Sequence, residues 1–173
     1  MCRSQKFSCA AARLEEVRGE LRRGGWRVLS SDPMKITVRA AEGLDGNAMA
    51  RRLRAAGAEC EYADRDHLVC MLSPLNTPEE TALLPRALGK APGPPVRVRL
   101  PAVRCRKKLS VREAVFAPWE TLPAEKALFR VCASPLAACP PAVPVVCAGE
   151  VIDENALSVM AYYGIGHVRA VKE

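Results

Sequence analysis

Residues 109–153 read LSVREAVFAPWETLPAEKALFRVCASPLAACPPAVPVVCAGEVID, and this stretch is the most specific evidence on the fold. It contains two uncommon phrases, REAVFAP at 112–118 and CPPAVPVVCAGEVID at 139–153. Helix or strand periodicity alone explains neither phrase. Their occurrence in one chain, in this order, therefore marks a particular fold rather than a type of secondary structure.

The second half of the chain predicts a series of short elements. Prolines cannot donate ladder hydrogen bonds, so the CPPAVP segment is expected to be extended and mostly unpaired. The predicted elements are, in order, a helical turn at 109–118, an extended segment at 127–133, the proline-rich segment at 139–144, a buried strand at 143–147, a helix capped by Asp153 and ended by Gly164, and an edge strand at 167–171.

The first half predicts strands interleaved with helices. The apolar run at 68–72 indicates the more central strand of the set. These patterns predict the α/β (α+β) class: a small mixed sheet with helices packed on it, followed by a smaller α+β domain. The elements are a helix at 11–23, strands at 26–29 and 34–38, a helix from Asp45 to Gly57, strands at 58–63 and 67–72, and a helix that begins at the capping box Thr77-Pro-Glu-Glu80.

The composition changes at Ala91-Pro-Gly-Pro-Pro95, which indicates a boundary or hinge. A chain of 173 residues can hold one ordinary domain or two small ones. The expected organisation is an N-terminal linker helix at 1–25, a small α/β domain at 26–90, a proline- and arginine-rich linker at 91–108 and a C-terminal domain at 109–173.

The eight cysteines show no C-x-x-C pair, and neither histidine lies near them in zinc-finger spacing. The N-terminus has no apolar h-region, and no apolar run approaches the roughly 18 residues of a membrane span. We therefore expect free thiols in a reducing cytoplasm. In apolar surroundings cysteine acts as a small hydrophobe, which is the interpretation for Cys60, Cys70 and Cys132.

Much of the net charge of +7 lies in a basic cluster, Arg97-Val-Arg99 and Arg104-Cys-Arg106-Lys107-Lys108. A solvated linker face is the preferred interpretation. The alternative is an anionic partner, either nucleic acid, an acidic protein surface or the remainder of an enzyme. The cluster has no aromatic residue for base stacking and lacks the length of a nucleic-acid tail, which argues against nucleic acid.

The two phrases, together with Asp32-Pro-Met-Lys-Ile-Thr-Val38, Ser73-Pro-Leu-Asn-Thr-Pro-Glu-Glu80 and Tyr163-Gly-Ile165, resemble the C-terminal region of the Orn/Lys/Arg decarboxylases. The resemblance spans about residues 26–171. It implies that 26–90 is the small domain of a pyridoxal-phosphate enzyme of fold type I and that 109–173 is its C-terminal domain. Two positions depart from the family pattern: Ala142 stands where the family often has glycine, and Ala148 where it often has proline.

Catalysis in that family requires a lysine that forms a Schiff base with pyridoxal phosphate, within a Ser-x-His-Lys motif. Neither His67 nor His167 is followed by lysine, and Lys35 and Lys107 have no neighbours that suggest such a role. The resemblance thus implies that the cofactor-binding domain is absent and that this chain itself holds no cofactor. A natural fragment, half of a split enzyme and an independent descendant all remain open.

The candidate substrate-binding residues are Glu113, Glu150 and Asp32, because a carboxylate is the natural partner of a basic amino acid's distal cation. Glu113 is expected to be partly buried beside Val115 and Phe116. Each carboxylate also has a structural interpretation: an ion pair for Glu113, a turn or cap for Glu150, and an Asp-Pro turn for Asp32.

The sequence therefore predicts the C-terminal portion of a basic amino acid decarboxylase that acts on arginine, lysine or ornithine, as in polyamine biosynthesis. Its roles would be substrate selection, site closure and subunit packing, and it would be inactive alone. Its expected partner is a pyridoxal-phosphate-binding domain or subunit, with homo-oligomers in the full-length family. The alternatives are a freestanding module that binds basic amino acids or polyamines, and a small basic protein that binds nucleic acid.

Overall fold

The computed structural model describes residues 3–138 and 143–173, with side chains at 6–135 and 144–173. The chain divides into two compact units, Met1–Val98 and Arg99–Glu173. Residues 139–142, which form most of the CPPAVP segment, lie outside the described residues, so the prediction for that segment stays a prediction.

The first unit is a four-stranded sheet with helices packed on it. Its strand order is β1-β2-β4-β3, and each neighbouring pair is antiparallel. The elements are α1 (Arg3–Arg23), β1 (Val28–Leu29), β2 (Lys35–Arg39), α2 (Gly46–Ala55), β3 (Tyr62–Ala63), β4 (His67–Met71), α3 (Pro78–Thr81) and α4 (Leu83–Leu88).

Strand β4 lies between β2 and β3, so these two strands run in the same direction without touching each other. Helix α2 connects them, which makes β2-α2-β3-β4 a split βαβ unit. Strand β4 was predicted to be central from its apolar run at 68–72, and its two-sided pairing confirms this. The sheet was predicted to be mixed, but its described neighbours are all antiparallel, because β4 lies between the two strands that run in the same direction.

The core of the first unit is formed by α1, the sheet and the two helices that pack against it. The predicted stripe Leu14, Val17 and Leu21 is buried, although α1 begins at Arg3, well before the predicted start at residue 11. No glycine or proline interrupts residues 3–10, and this explains the longer helix. The N-terminal helix is thus part of a core and more than a linker.

Arg18 of α1 is buried and ties this helix to the turn before β2. Its Nη2 donates to the carbonyl oxygens of Asp32, Pro33 and Lys35, at 3.1, 2.9 and 2.6 Å. Its Nη1 forms an ion pair with the exposed Glu15 at 3.1 Å. A buried cation needs such partners, since an unpaired charge in the interior is costly.

The second unit consists of short elements around a smaller core. Strands β5 and β8 form one antiparallel ladder, and β6 and β7 form another. The elements are α5 (Val111–Phe116), β5 (Trp119–Pro123), a 3₁₀ turn (Ala124–Lys126), β6 (Leu136–Ala138), β7 (Val143–Val146), α6 (Glu154–Tyr162) and β8 (His167–Val171). The core includes Ala127, Cys132, Val146, Ile152, Ala156, Met160 and Val168.

Helix α6 begins at its predicted cap, because the Asp153 side chain accepts a hydrogen bond from the Ala156 N–H at 2.7 Å. The segment predicted as extended at 127–133 is different. Its first residues form a turn, and Phe129 has a positive φ of 63°. Within the segment 127–133, bridges to other strands are made by Val131 and Cys132, and each of these bridges is isolated. The non-glycine left-handed residue ends any regular strand at this point.

The predicted α/β (α+β) class, with helices packed on small sheets, is confirmed. Among the residues that the structure describes, no helix is both long and apolar enough to cross a bilayer.

Candidate functional site

Glu113 lies in the first turn of α5, where it caps the helix. The Ser110 side chain accepts from the Glu113 N–H at 3.2 Å, and Glu113 Oε2 accepts from the Ser110 N–H at 2.8 Å. The hydrogen bonds from Ser110 lower the pKa of Glu113, and the positive charge of Lys107 adds to the effect. The carboxylate is therefore ionised and available to a cation only from its exposed side.

Glu150 is held at a tight turn. Its Oε2 accepts from the Cys147 N–H at 2.8 Å, and its backbone pairs with Lys107 in an isolated bridge. The Gly149 carbonyl accepts from the Lys108 and Leu109 N–H groups at 2.8 and 3.0 Å. This turn therefore lies against the segment that leads into α5, the helix that carries Glu113.

Asp32 lies in the turn between β1 and β2 of the first unit and is exposed. Its Oδ1 accepts from the Met34 N–H at 2.8 Å, which is the pattern of an Asx turn. Its carbonyl accepts from Arg18 and from the Lys35 N–H. Each of the three candidate carboxylates thus serves a turn or a cap, and a role in substrate binding stays a prediction for each.

The expectation that Glu113 is partly buried beside Val115 and Phe116 is wrong. Glu113 is exposed, and the Phe116 side chain is 78% exposed. Helix α5 has only six residues and buries Ala114 alone, so its other side chains face outward. Phe116 contacts the Arg112 guanidinium, which lies 5.6 Å from the ring centroid. Val111, Val115 and Trp119 are also exposed, and these three side chains together with Phe116 are called here the α5 surface.

Replacing Phe116 with alanine is expected to change the free energy of unfolding by less than about 1 kcal/mol, because little apolar area leaves the core. Ile152→Ala in the same unit is the matched control, and it should cost about 2–5 kcal/mol because Ile152 is fully buried. Urea denaturation of both variants checks this. A large loss for Phe116→Ala would show that the ring is buried.

The first unit contains a cleft of about 260 Å³ between the end of α2, strand β4 and helices α3 and α4. Its walls include Leu53, Cys70, Leu83 and Leu84, and its rim carries Glu59 and Glu80. The Arg54 side chain neutralises Glu59 through two hydrogen bonds, and Glu80 Oε2 accepts from Asn76 and from the Thr77 N–H. The sequence identified Glu80 only as a helix cap and gave no signal for the cleft.

Asp64, Asp66 and His67 place their ligand atoms within 4.8 Å of one another. Asp64 Oδ1 accepts from the N–H groups of Asp66 and His67, and its Oδ2 accepts from the Tyr62 hydroxyl. Burial opposes ionisation of Asp64, but these bonds and the contact with His67 lower its pKa to about 2. The cluster closes the turn between β3 and β4, and nothing further indicates a metal.

The side chains present do not fit pyridoxal phosphate. Of the lysines, Lys35 is half-buried on β2, and the others are exposed, at positions 6, 90, 107, 108, 126 and 172. No lysine lines the described cleft. An aldimine lysine must face an enclosed site, so no step through this cofactor can be assigned to residues of this chain.

The described cysteines are free thiols, and the thiols of Cys70 and Cys132 have strongly raised pKa values. Burial raises the pKa of Cys70 to about 12 and that of Cys132 to about 11. Because the thiolate is the reactive form, these two cysteines are inert side chains of the core, as their apolar surroundings in the sequence predicted.

The fold of this chain is similar to part of two solved enzymes. The constitutive lysine decarboxylase of E. coli matches with a TM-score of 0.66 and 13% identity, over 97% of this chain and 41% of that one. The fold is shared with lysine decarboxylases. The Francisella novicida lysine decarboxylase matches with a TM-score of 0.58 and 12% identity, over 83% of this chain and 31% of that one.

The chain therefore spans less than half the length of either enzyme. No family model matches the sequence, and no curated protein matches it. At these identities the likeness establishes a common fold and nothing further.

Proposed function

We propose that this chain is the C-terminal portion of a pyridoxal-phosphate-dependent decarboxylase of basic amino acids, and that it is not catalytic alone. It contributes substrate selection, site closure and subunit packing to a partner that carries the cofactor. The observation that carries the proposal is the fold similarity over 97% of the chain to an enzyme more than twice its length.

Two features of the chain support the proposal that a partner, and not this chain, carries the cofactor. The lysines lie in exposed or half-buried positions, and none belongs to a Ser-x-His-Lys motif. The α5 surface exposes Val111, Val115, Phe116 and Trp119 within nine residues of sequence. Apolar side chains gathered in this way often mark a contact with another protein surface, and here the cofactor-bearing part is the proposed partner.

The substrate's distal ammonium or guanidinium would be recognised by carboxylates of this chain. Glu113 and Glu150 are the proposed residues, because the turn at Gly149 lies against the segment before α5. Both are expected to act by charge and hydrogen bonding, with Glu113 ionised at neutral pH. Asp32 remains a third candidate in the first unit.

The purified chain, incubated with pyridoxal phosphate and reduced with borohydride, is expected to yield no stoichiometric pyridoxyl-lysine adduct. It should also release no carbon dioxide from lysine, arginine or ornithine. Mass spectrometry of the reduced chain and a labelled-substrate assay measure the two outcomes. A lysine decarboxylase treated in parallel serves as the positive control for both assays.

A single modified lysine at full stoichiometry would show that the chain holds the cofactor and would overturn the proposal. So would turnover of a basic amino acid by the chain alone.

A further inference from the structure

Most of the basic cluster belongs to the second unit, which begins at Arg99. The segment 99–108 is called here the basic strip, and its five cations, Arg99, Arg104, Arg106, Lys107 and Lys108, are all exposed. The sequence from 91 to 112 contains no acidic residue. The charges are therefore concentrated along one short length of chain.

The strip is fixed to the core by its apolar side chains and its backbone. Val103 and Cys105 pack against the core of the second unit. The Ala102 carbonyl accepts from Asn155 Nδ2 at 3.2 Å, and the Arg106 carbonyl accepts from the Val151 N–H at 2.9 Å. The strip is thus not a free basic tail, because its backbone is fixed to the core before any ligand arrives.

The packing of Val103 and Cys105 leaves Arg104 and Arg106 exposed between and beyond them. In an extended chain alternate residues share a side and lie about 6–7 Å apart, and the alternating exposure from 103 to 106 places Arg104 and Arg106 on the outer side of the segment. In the part of the chain that the structure describes, no residue of the strip forms an ion pair within 4.0 Å; Lys107 acts on Glu113 only at longer range. The positive charge is consequently available to an external anion.

From the sequence, the lack of an aromatic residue and of a long tail argued against nucleic acid, but contact with phosphates through an anchored segment needs neither. We propose that the basic strip binds nucleic acid through its phosphate groups, independently of base sequence. Exposed cations clustered on an anchored segment suit a linear array of phosphates, and arginine can bind a phosphate with two parallel hydrogen bonds. The strip has no aromatic side chain for base stacking, and its cations suit phosphate oxygens, so we expect the contact to be mainly to the phosphate backbone.

An acidic protein is the competing partner, and the composition of the strip favours nucleic acid over it. Stable protein interfaces are centred on buried aromatic or other large apolar residues. The exposed positions of the strip other than its cations are Pro101 and Ala102, which are small. Binding by charge alone is the mode of non-specific nucleic-acid contacts.

The test is fluorescence anisotropy with a short labelled DNA duplex of mixed sequence. With about four phosphate contacts, the affinity should fall on the order of 100-fold between about 50 and 200 mM salt. The quadruple variant Arg104→Gln, Arg106→Gln, Lys107→Gln and Lys108→Gln should lose at least about tenfold in affinity at the lower salt concentration. Circular dichroism of each variant shows whether it remains folded.

The matched control replaces four exposed cations of the first unit with glutamine, at Arg51, Arg52, Arg86 and Lys90. It makes the same change in net charge and should keep the affinity within about threefold. An equal loss in both quadruple variants, or no binding by the unmodified chain, would overturn the proposal. Tighter binding of an acidic polypeptide than of the duplex would also overturn it, and would assign the strip to a protein partner. None of these three results bears on the decarboxylase proposal, because the test of that proposal measures lysine modification and carbon dioxide release.

Discussion

Gly149→Ala is expected to destabilise the second unit by about 3–5 kcal/mol, because it adds both backbone strain and a steric overlap. Gly149 has a φ of 90°, a conformation that alanine strongly disfavours. A Cβ at this position would lie 2.3 Å from the Leu109 carbonyl oxygen and 3.0 Å from its carbonyl carbon. Both atoms belong to backbone, so no side-chain rotation relieves the overlap.

The measurement is urea denaturation followed by tryptophan fluorescence. The two tryptophans fall one in each unit, at Trp26 and Trp119, so a Trp26→Phe background reports on the second unit. Gly166→Ala is the control, because nothing lies within 4 Å of a Cβ at that position. A loss of under about 1 kcal/mol for Gly149→Ala would mean that the turn does not pack against Leu109.

The same substitution affects the proposed site. The Gly149 carbonyl accepts from the N–H groups of Lys108 and Leu109, immediately before the helix that carries Glu113. Moving this carbonyl would displace Glu150 and the start of α5 together. If Glu113 and Glu150 bind the same substrate, a Gly149→Ala chain that retains its fold should still lose activity in the proposed assembly with the cofactor-bearing partner.

Local sequence signals predicted the elements that local chemistry determines. The capping box Thr77–Glu80 and the cap Asp153 were found because each depends on residues three apart. Ser110-Val-Arg-Glu113 has the same capping signature. The capping-box pattern at Ser110–Glu113 predicts that Glu113 caps the helix, and a capping residue in the first turn is usually exposed.

Features that depend on distant parts of the chain could not be predicted in this way. The positive φ of Phe129 carries no signal in its own residue type, since glycine or asparagine is usual there. The partial burial of Glu113 was inferred from the apolar Val115 and Phe116 beside it, but a six-residue helix has too short a face to cover these side chains. The cleft beside Leu84 and Glu59 is formed by the end of α2, β4, α3 and α4 together, so no single stretch of sequence predicts it.

Gly46→Ala is expected to destabilise the first unit by about 3 kcal/mol. Gly46 is the first residue of α2, and a Cβ there would lie 2.2 Å from the His67 carbonyl oxygen and 2.4 Å from that of Asp64. The turn that carries those carbonyls is held by the Asp64 side chain, which accepts from the N–H groups of Asp66 and His67. It therefore cannot retreat without losing these hydrogen bonds.

The sign of the change in the free energy of unfolding of Gly46→Ala shows whether helix propensity or packing determines the effect. Helix propensity alone predicts that alanine stabilises this position by up to about 1 kcal/mol, whereas packing of α2 against the β3–β4 turn predicts a loss. Gly19→Ala in α1 is the control in which propensity should prevail, because the nearest atom to a Cβ there is the flexible Arg23 Nη1 at 3.4 Å. Denaturation followed by Trp26 fluorescence in a Trp119→Phe background should show a gain for Gly19→Ala and a loss for Gly46→Ala. Gains in both would mean that α2 stands away from the turn and that the split βαβ unit is packed differently.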